Sequence, residues 1–327
     1  MQDNKKVQAL ISSRVSLAPM AGITDYVLRS LVREYSKTCL LTTEMISSEA
    51  LRQVKDTDIV RKDLNHSPIS YQLSGHKPFM IADGAEYLEK FADMIDINMG
   101  CPVNKVVKGT DGAALMRNHY LAQDIVRAVK ERVNIPVSVK FRLGYTMDEL
   151  NYVEFGQKMQ EAGADFITIH GRTRSQMYSG KADWKKIAEL KKNVDIPVFA
   201  NGDVNSIESA VQCLEESQAD GVAIGRGVLG DVTLISRIEK YLTTGKYTPA
   251  PTIEEKVFQA KKHLLHEIEF RGEEVGVKFV RKFYPYYING FQGASQYRGN
   301  LVKLEYFEEI TKLLDEILIK NSSSCKH

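Results

Sequence analysis

The residues best suited to chemistry sit in short polar stretches, each at the end of an apolar run. Cys101 lies in Asn98-Met99-Gly100-Cys101-Pro102. A lone cysteine is often a small buried hydrophobe, but one in a polar Gly/Pro loop is a candidate nucleophile or general acid, and its neighbours do not decide between the two. Lys140, in Lys140-Phe141-Arg142, has three readings: a Schiff-base amine, a cation facing a developing anion, or half of a structural ion pair. His170, in His170-Gly171-Arg172-Thr173, is an acid/base group, a phosphate or ring donor, or a structural histidine. Asn201-Gly202-Asp203 and Gly225-Arg226-Gly227 combine glycines, which let backbone N–H groups approach an anion, with a guanidinium able to bind one bidentately.

The runs before these stretches read as buried parallel strands: 15–18, 39–43, 69–72, 94–98, 137–140, 166–169, 198–200 and 222–224. Helical patterns separate them. One is capped by Thr24 or Asp25 and runs to about Tyr35; another spans about Tyr120 to Val133, with Ile125, Val129 and Val133 on one face. Eight strand–helix units predict an α/β protein, a (β/α)8 TIM barrel, and a chain of 327 residues has room for one plus an appendage. Asn134-Ile135-Pro136-Val137 echoes in Asp195-Ile196-Pro197-Val198, and Ala162-Gly163-Ala164-Asp165 more loosely in Gln218-Ala219-Asp220-Gly221, as repeated βα units should. Active sites of such barrels lie at the C-terminal strand ends, with phosphate at the last two, which is where the two glycine stretches fall. Gly225-Arg226-Gly227-Val228-Leu229-Gly230 also matches a dinucleotide fingerprint, but the helical spacing of Val232, Ile235, Ile238 and Leu242 stands where a second strand would be needed.

Beyond Pro249, Pro251 and Thr252 no β run appears, so the sequence predicts a small C-terminal all-helical domain, followed by a polar tail, 321–327. Lys+Arg 44 against Asp+Glu 42 gives only +2 overall, yet between Lys256 and Lys303 nine Lys/Arg face four Glu, a local +5. Phe279, Phe283, Tyr284, Tyr286, Tyr287, Phe291 and Tyr297 interleave with them. Such a mixture suits an RNA-facing surface, or an amphipathic helix with a solvated face and core aromatics, and the second reading is favoured on this segment alone. His263 and His266 lack a third ligand and read as helix surface. Cys39 and Cys213 fall in core-like runs, and Cys325 in the tail. Hydrophobic content of 43% excludes wholesale disorder. Widely spaced cysteines, no metal-ligand spacing, no apolar leader and no 18-residue apolar stretch lead to the expectation of a cytoplasmic protein with no structural metal and no membrane contact.

Taken together, Leu17-Ala18-Pro19-Met20-Ala21-Gly22-Ile23-Thr24-Asp25, Asp96 to Pro102, Lys140 to Arg142, Ile169 to Thr173, Ala200 to Asp203 and Gly225 to Gly227 resemble the tRNA-dihydrouridine synthases, most closely the B-type bacterial branch. The stretch 104–112 is less basic than that branch usually shows. The resemblance implies an FMN enzyme that uses NADPH (or NADH) to reduce the 5,6 double bond of D-loop uridines in tRNA. It implies a catalytic barrel over 1–245 and a helical tRNA-binding domain over 246–327, in a monomer. Pro19, Met20 and Ala21 would lie along the isoalloxazine, with Gln72 at its polar edge and Lys140 near N1/O2. His170, Asn201, Gly202, Asp203, Gly225 and Arg226 would hold the ribityl phosphate. Asn98 and Arg142 would bind the extruded uracil and Tyr178 would stack on it. Hydride from the flavin would reach C6, and Cys101 would protonate C5. The alternative is an FMN barrel oxidoreductase acting on a small pyrimidine. A Schiff-base aldolase using Lys140 and a non-enzymatic RNA-binding protein are more distant rivals.

Overall fold

The computed structural model describes residues 2–53, 66–103 and 110–324. Cys325 and most of the 104–112 stretch lie outside the described residues. Among the described residues, nine parallel strands form the barrel wall: β1 Val15–Leu17, β2 Leu41–Thr42, β3 Ile46–Ser47, β4 Ile69–Ser74, β5 Met94–Asn98, β6 Val137–Arg142, β7 Phe166–His170, β8 Val198–Asn201 and β9 Gly221–Ile224. The wall runs β1-β9-β8-β7-β6-β5-β4-β2 and closes where Ser16 bridges Leu40, with the Leu17 N–H donating to the Leu40 carbonyl at 2.9 Å. The protein is a TIM barrel with helices around it and further helices at its C-terminus.

Where the sequence predicts one second strand over 39–43, the structure has two pieces, β2 and β3, both on β4. The break at 43–45 has a local cause. Thr43 Oγ1 accepts the Gln72 N–H at 3.1 Å in place of a backbone partner, and Glu44 turns away to accept the Gly22 N–H. β4 and β6 each run two residues past the expected ends. Arg142 is therefore a strand residue, on the same face as Lys140.

The echoes in the sequence have a structural meaning. Asp93, Asp165 and Asp220 each precede a strand, and each carboxylate accepts the N–H of the first residue of the preceding strand, Ile69, Val137 or Val198, at 2.7–2.8 Å. Each of these aspartates also donates its own N–H to the carbonyl of the same residue. The bottom of the barrel is closed by an N-terminal helix, Gln2–Leu10. Val7 and Ile11 bury against Met94, Phe166 and Phe199 inside the wall. This apolar floor forces polar chemistry to the opposite mouth.

Thr252 begins the C-terminal helices with a capping box: its Oγ1 accepts from Glu255 N and its N–H donates to Glu255 Oε2. A second core, including Val257, Leu264, Val280, Phe283, Tyr287 and Leu314, holds these helices together. Two expectations are corrected here. The last helix, Phe307–Ser324, continues into the predicted polar tail, and Asn321 Nδ2 bonds the Ile317 carbonyl at 2.8 Å. His263 is not on the surface. Helix Ile253–Arg271 packs on its neighbours from several sides, so His263 is fully buried and its Nδ1 meets Tyr287 Oη at 3.0 Å. Of the interleaved aromatics, Phe283, Tyr284, Tyr287 and Tyr297 are core residues, whereas Tyr286 is exposed.

The helical region is latched to the barrel by charge. Arg271 bonds Asp25 at 2.6 Å and Glu267 at 2.7 Å, bridging the two carboxyls. Burial pushes both carboxyls above their ordinary range. Among the described residues no helix is long and apolar enough to cross a membrane, and no group of His, Cys, Asp and Glu could hold a metal ion.

Candidate active site

Alternation along a strand sends every second side chain inward. Gln72, Asn98, Lys140, Arg142, His170 and Asn201 follow this rule in adjacent registers: Asn98 is beside Lys140, Arg142 beside His170, and His170 beside Asn201. They converge on a cavity of about 710 Å³ at the C-terminal mouth. Pro19, Met20, Ala21, Gln72, Asn98, Cys101, Lys140, Arg142, His170, Tyr178, Asn201, Gly202, Asp203, Gly225 and Arg226 all line it. The sequence separates these residues by up to two hundred positions; the barrel brings all of them together.

The loop carrying Cys101 is held from two directions. Asn98 Oδ1 accepts the N–H groups of Gly100 at 3.2 Å and Cys101 at 2.9 Å. Arg142 Nε donates to the Gly100 carbonyl at 2.8 Å. Gly100 packs closely on β6: a Cβ there would come 3.1 Å from the Phe141 Cα and crowd the strand. Cys101 is a free, partly exposed thiol facing the cavity. Cys39 and Cys213 are buried, and desolvation pushes their thiols up to about 11 and about 12. These two are unreactive at neutral pH.

Lys140 donates to Asn201 Oδ1 at 3.1 Å. Burial, then the neighbouring Arg142 charge, pushes its amine down to about 8 against the opposing pull of Asp96 and Cys101. The amine is thus a cation poised near neutrality and short of a counter-charge. His170 is held far below its ordinary value by burial and by Arg142, Lys140, Arg172 and Arg226, so it is neutral. Arg172 Nη1 lies 3.3 Å from His170 Nε2. Arginine only donates, so Nε2 is the acceptor and the ring proton sits on Nδ1.

Two arginines staple the rim loop after β7. Arg142 Nη1 donates to the Thr173 and Met177 carbonyls at 3.0 and 2.9 Å. Arg172 donates to the Ser179 and Gly180 carbonyls at 3.0 and 2.6 Å and to both Asp203 oxygens at 2.7 and 2.8 Å. The loop presents Tyr178, 53% exposed, with the Arg226 guanidinium 4.9 Å from its ring centroid. Asp203 is therefore committed to Arg172, and Arg226 lies 3.6 Å away from it. With His170 neutral, Arg172, Arg226 and Asp203 leave this end of the cavity with one positive charge in excess. A side chain at Gly225 would enter beside Met20, whose Sδ lies 3.5 Å from the Cβ position.

Three contributors are absent from the sequence-derived candidates. Asp96 is buried beneath the mouth, with Ser138 Oγ and Gln72 Nε2 each donating to it at 2.6 Å. Its signal is an acid in the middle of the apolar run Met94-Ile95-Asp96-Ile97. Arg172 stands in the His170-Gly171-Arg172-Thr173 stretch, whose spacing alone assigns it no role. Tyr286 lines the cavity from the helical region, and no local pattern distinguishes it from its core neighbours.

Fold and site define a (β/α)8-barrel protein with one cation-lined, thiol-bearing pocket at the strand ends. The model of the family described as Dihydrouridine synthase (Dus) matches residues 16–323. A probable tRNA-dihydrouridine synthase 1 from Synechocystis is 41% identical over 310 residues, covering 94% of this chain and 87% of that protein. A probable tRNA-dihydrouridine synthase from Rickettsia bellii is 40% identical over 295 residues, covering 88% and 90%. The tRNA-dihydrouridine synthase B of Pseudomonas aeruginosa is 36% identical over 298 residues, covering 90% of each. The chain belongs to the dihydrouridine synthase family, on its B-like side.

Proposed function

We propose that this protein reduces uridine in tRNA to dihydrouridine, with bound FMN and a nicotinamide nucleotide, NADPH or NADH, as reductant. The observation that supports this most is the convergence of the whole motif set on one cavity in a chain that belongs to this family. The residues fit the flavin. The cavity volume of about 710 Å³ lies in the range of cofactor sites. Gly225 leaves an open cradle beside Met20, and the charge excess around Arg172 and Arg226 suits a phosphate. Pro19, Met20, Ala21, Gln72 and Lys140 would hold the ring, and His170, Asn201, Gly202, Asp203, Gly225 and Arg226 the ribityl phosphate end.

The flavin, when bound, supplies the hydride for uracil C6. Cys101 then gives its proton to C5, and the resulting thiolate is reprotonated from solvent. Lys140, poor in counter-charge, stabilises negative charge that develops beside it. Asn98 and Arg142 face the pyrimidine, and Tyr178 offers a ring for stacking at the rim. The base must leave the tRNA fold to enter a pocket this deep. The 246–327 segment, basic between Lys256 and Lys303, would grip the backbone, and the enzyme would act as a cytoplasmic monomer.

A purified yellow protein whose absorbance is bleached by NADPH, and which forms dihydrouridine in tRNA transcripts but not from free uracil or uridine, is the expected result. Equal turnover of free pyrimidines would replace this reading by a small-molecule oxidoreductase.

A further inference from the structure

The side chains below the cavity form one directed chain of hydrogen bonds. Ser138 Oγ donates to Asp96 Oδ1 at 2.6 Å, and Gln72 Nε2 donates to Asp96 Oδ2 at 2.6 Å. Asn98 Nδ2 donates to Gln72 Oε1 at 2.8 Å. Asn98 Oδ1 then accepts from Gly100 and Cys101 N–H. A primary amide can face either way, and only its partners decide. With an acceptor at Asp96, Gln72 must turn its NH2 inward and its oxygen to Asn98. Asn98 must in turn aim its oxygen at the thiol loop. Ser138, Gln72, Asp96 and Asn98 are all buried, so water does not compete for these partners.

We propose that Asp96 is a positioning residue: by orienting the amides of Gln72 and Asn98 it sets the backbone on which Cys101 meets its substrate. This rests on the uridine-reducing reading above. The chain needs an acceptor at position 96, not a charge. In Asp96→Asn the new amide oxygen can face Gln72 while its NH2 donates to Ser138 Oγ, which turns from donor to acceptor. Asp96→Leu removes the acceptor and frees both amides to flip. A flipped Asn98 would point NH2 at two N–H groups, and the loop would move.

The test is a four-variant comparison on the FMN-bound enzyme: Asp96→Leu, Asp96→Asn, Ser138→Ala, and Asp96→Asn combined with Ser138→Ala. Three quantities are read: single-turnover uridine reduction in tRNA, flavin reduction by NADPH, and the alkylation rate of Cys101 by iodoacetamide, followed on its peptide by mass spectrometry. Asp96→Leu should slow uridine reduction by about 30-fold, the scale of a sub-ångström misplacement of a reacting group. It should change the Cys101 alkylation rate while tRNA affinity holds. Asp96→Asn should restore most of the loss, and Ser138→Ala alone should be mild. The combined variant leaves the new NH2 without an acceptor and should lose the rescue by about tenfold. A buried residue with a merely structural role predicts neither rescue nor this non-additivity. The proposal fails if Asp96→Leu matches wild type in reduction and alkylation. It also fails if Asp96→Asn is as impaired as Asp96→Leu, which would assign the effect to charge on Lys140. Should Asp96→Leu not fold, the other three variants decide alone. Loss of uridine reduction in wild type itself would overturn the function, and the alkylation rates would still judge the positioning.

Discussion

Lys140→Met isolates the electrostatic cost of placing an amine at the mouth of the barrel. The amine of Lys140 is pushed from 10.5 to about 8. At about 1.4 kcal/mol per pH unit, this penalises the charged form by about 3 kcal/mol in the flavin-free fold. Methionine fills similar space without charge, but it removes the donor to Asn201 Oδ1, worth about 1 kcal/mol. The flavin-free variant should therefore be more stable than wild type by about 2 kcal/mol at pH 7. The sign follows from proton binding. Between pH 8 and 10.5 the unfolded chain holds the lysine proton and the folded chain does not, so wild-type stability gains with pH there. The variant has no such gain. Its advantage should shrink across this window and end at about −1 kcal/mol, where only the lost hydrogen bond remains. Urea unfolding of both flavin-free proteins at pH 7, 9 and 10.5 measures this. Subtracting one from the other cancels the titrating groups that do not interact with Lys140. A variant less stable at pH 7, or a difference that does not move with pH, would refute the reasoning. The same variant should bind FMN more weakly or reduce it more slowly, since the cation is retained for the cofactor and not for the fold.

Three other perturbations have defined outcomes. Arg142→Lys keeps the charge but not the fork that holds Gly100, Thr173 and Met177, so uridine reduction should fall by at least about tenfold while bound flavin is retained, read by stopped-flow and absorbance. Gly230→Ala places a Cβ 2.1 Å from the Tyr286 carbonyl oxygen at φ +76°, so it should cost about 2 kcal/mol or more and displace Tyr286 from the cavity, visible as a lowered Tm. Arg271→Met strands the buried Asp25 and Glu267 carboxyls. Stability should drop by about 3 kcal/mol at pH 7 and by progressively less as the pH is lowered and the carboxyls, both raised by burial, take up protons; denaturant titrations at descending pH check this.

Much of the site was legible because barrel strands announce their own ends. A run such as Val137-Ser138-Val139 that stops at Lys140 marks the mouth without any tertiary information. The Asn201 and Gly225 stretches were readable for the same reason. What escaped depends on contacts between distant parts of the chain. Val7 and Ile11 look like ordinary apolar residues in a lysine-bearing segment until the barrel floor is present to receive them. The break between β2 and β3 arises because Glu44 is drawn to Gly22 and Thr43 to Gln72. His263 has ordinary surface spacing but meets Tyr287 from another helix. Asp96 lies in the Asp96 to Pro102 stretch, yet its partners appear only when Gln72 and Ser138 come from the strands on either side.

The most direct test of uridine reduction with Cys101 as the acid is a map of dihydrouridine across tRNA from cells lacking this gene, complemented by wild type or by Cys101→Ala. Wild type should restore the modification at defined D-loop positions. Cys101→Ala should not, although the purified variant stays yellow and still oxidises NADPH, and its uridine reduction should fall by at least about 100-fold. Full restoration by Cys101→Ala, or an unchanged dihydrouridine map in the deletion strain, would contradict the account.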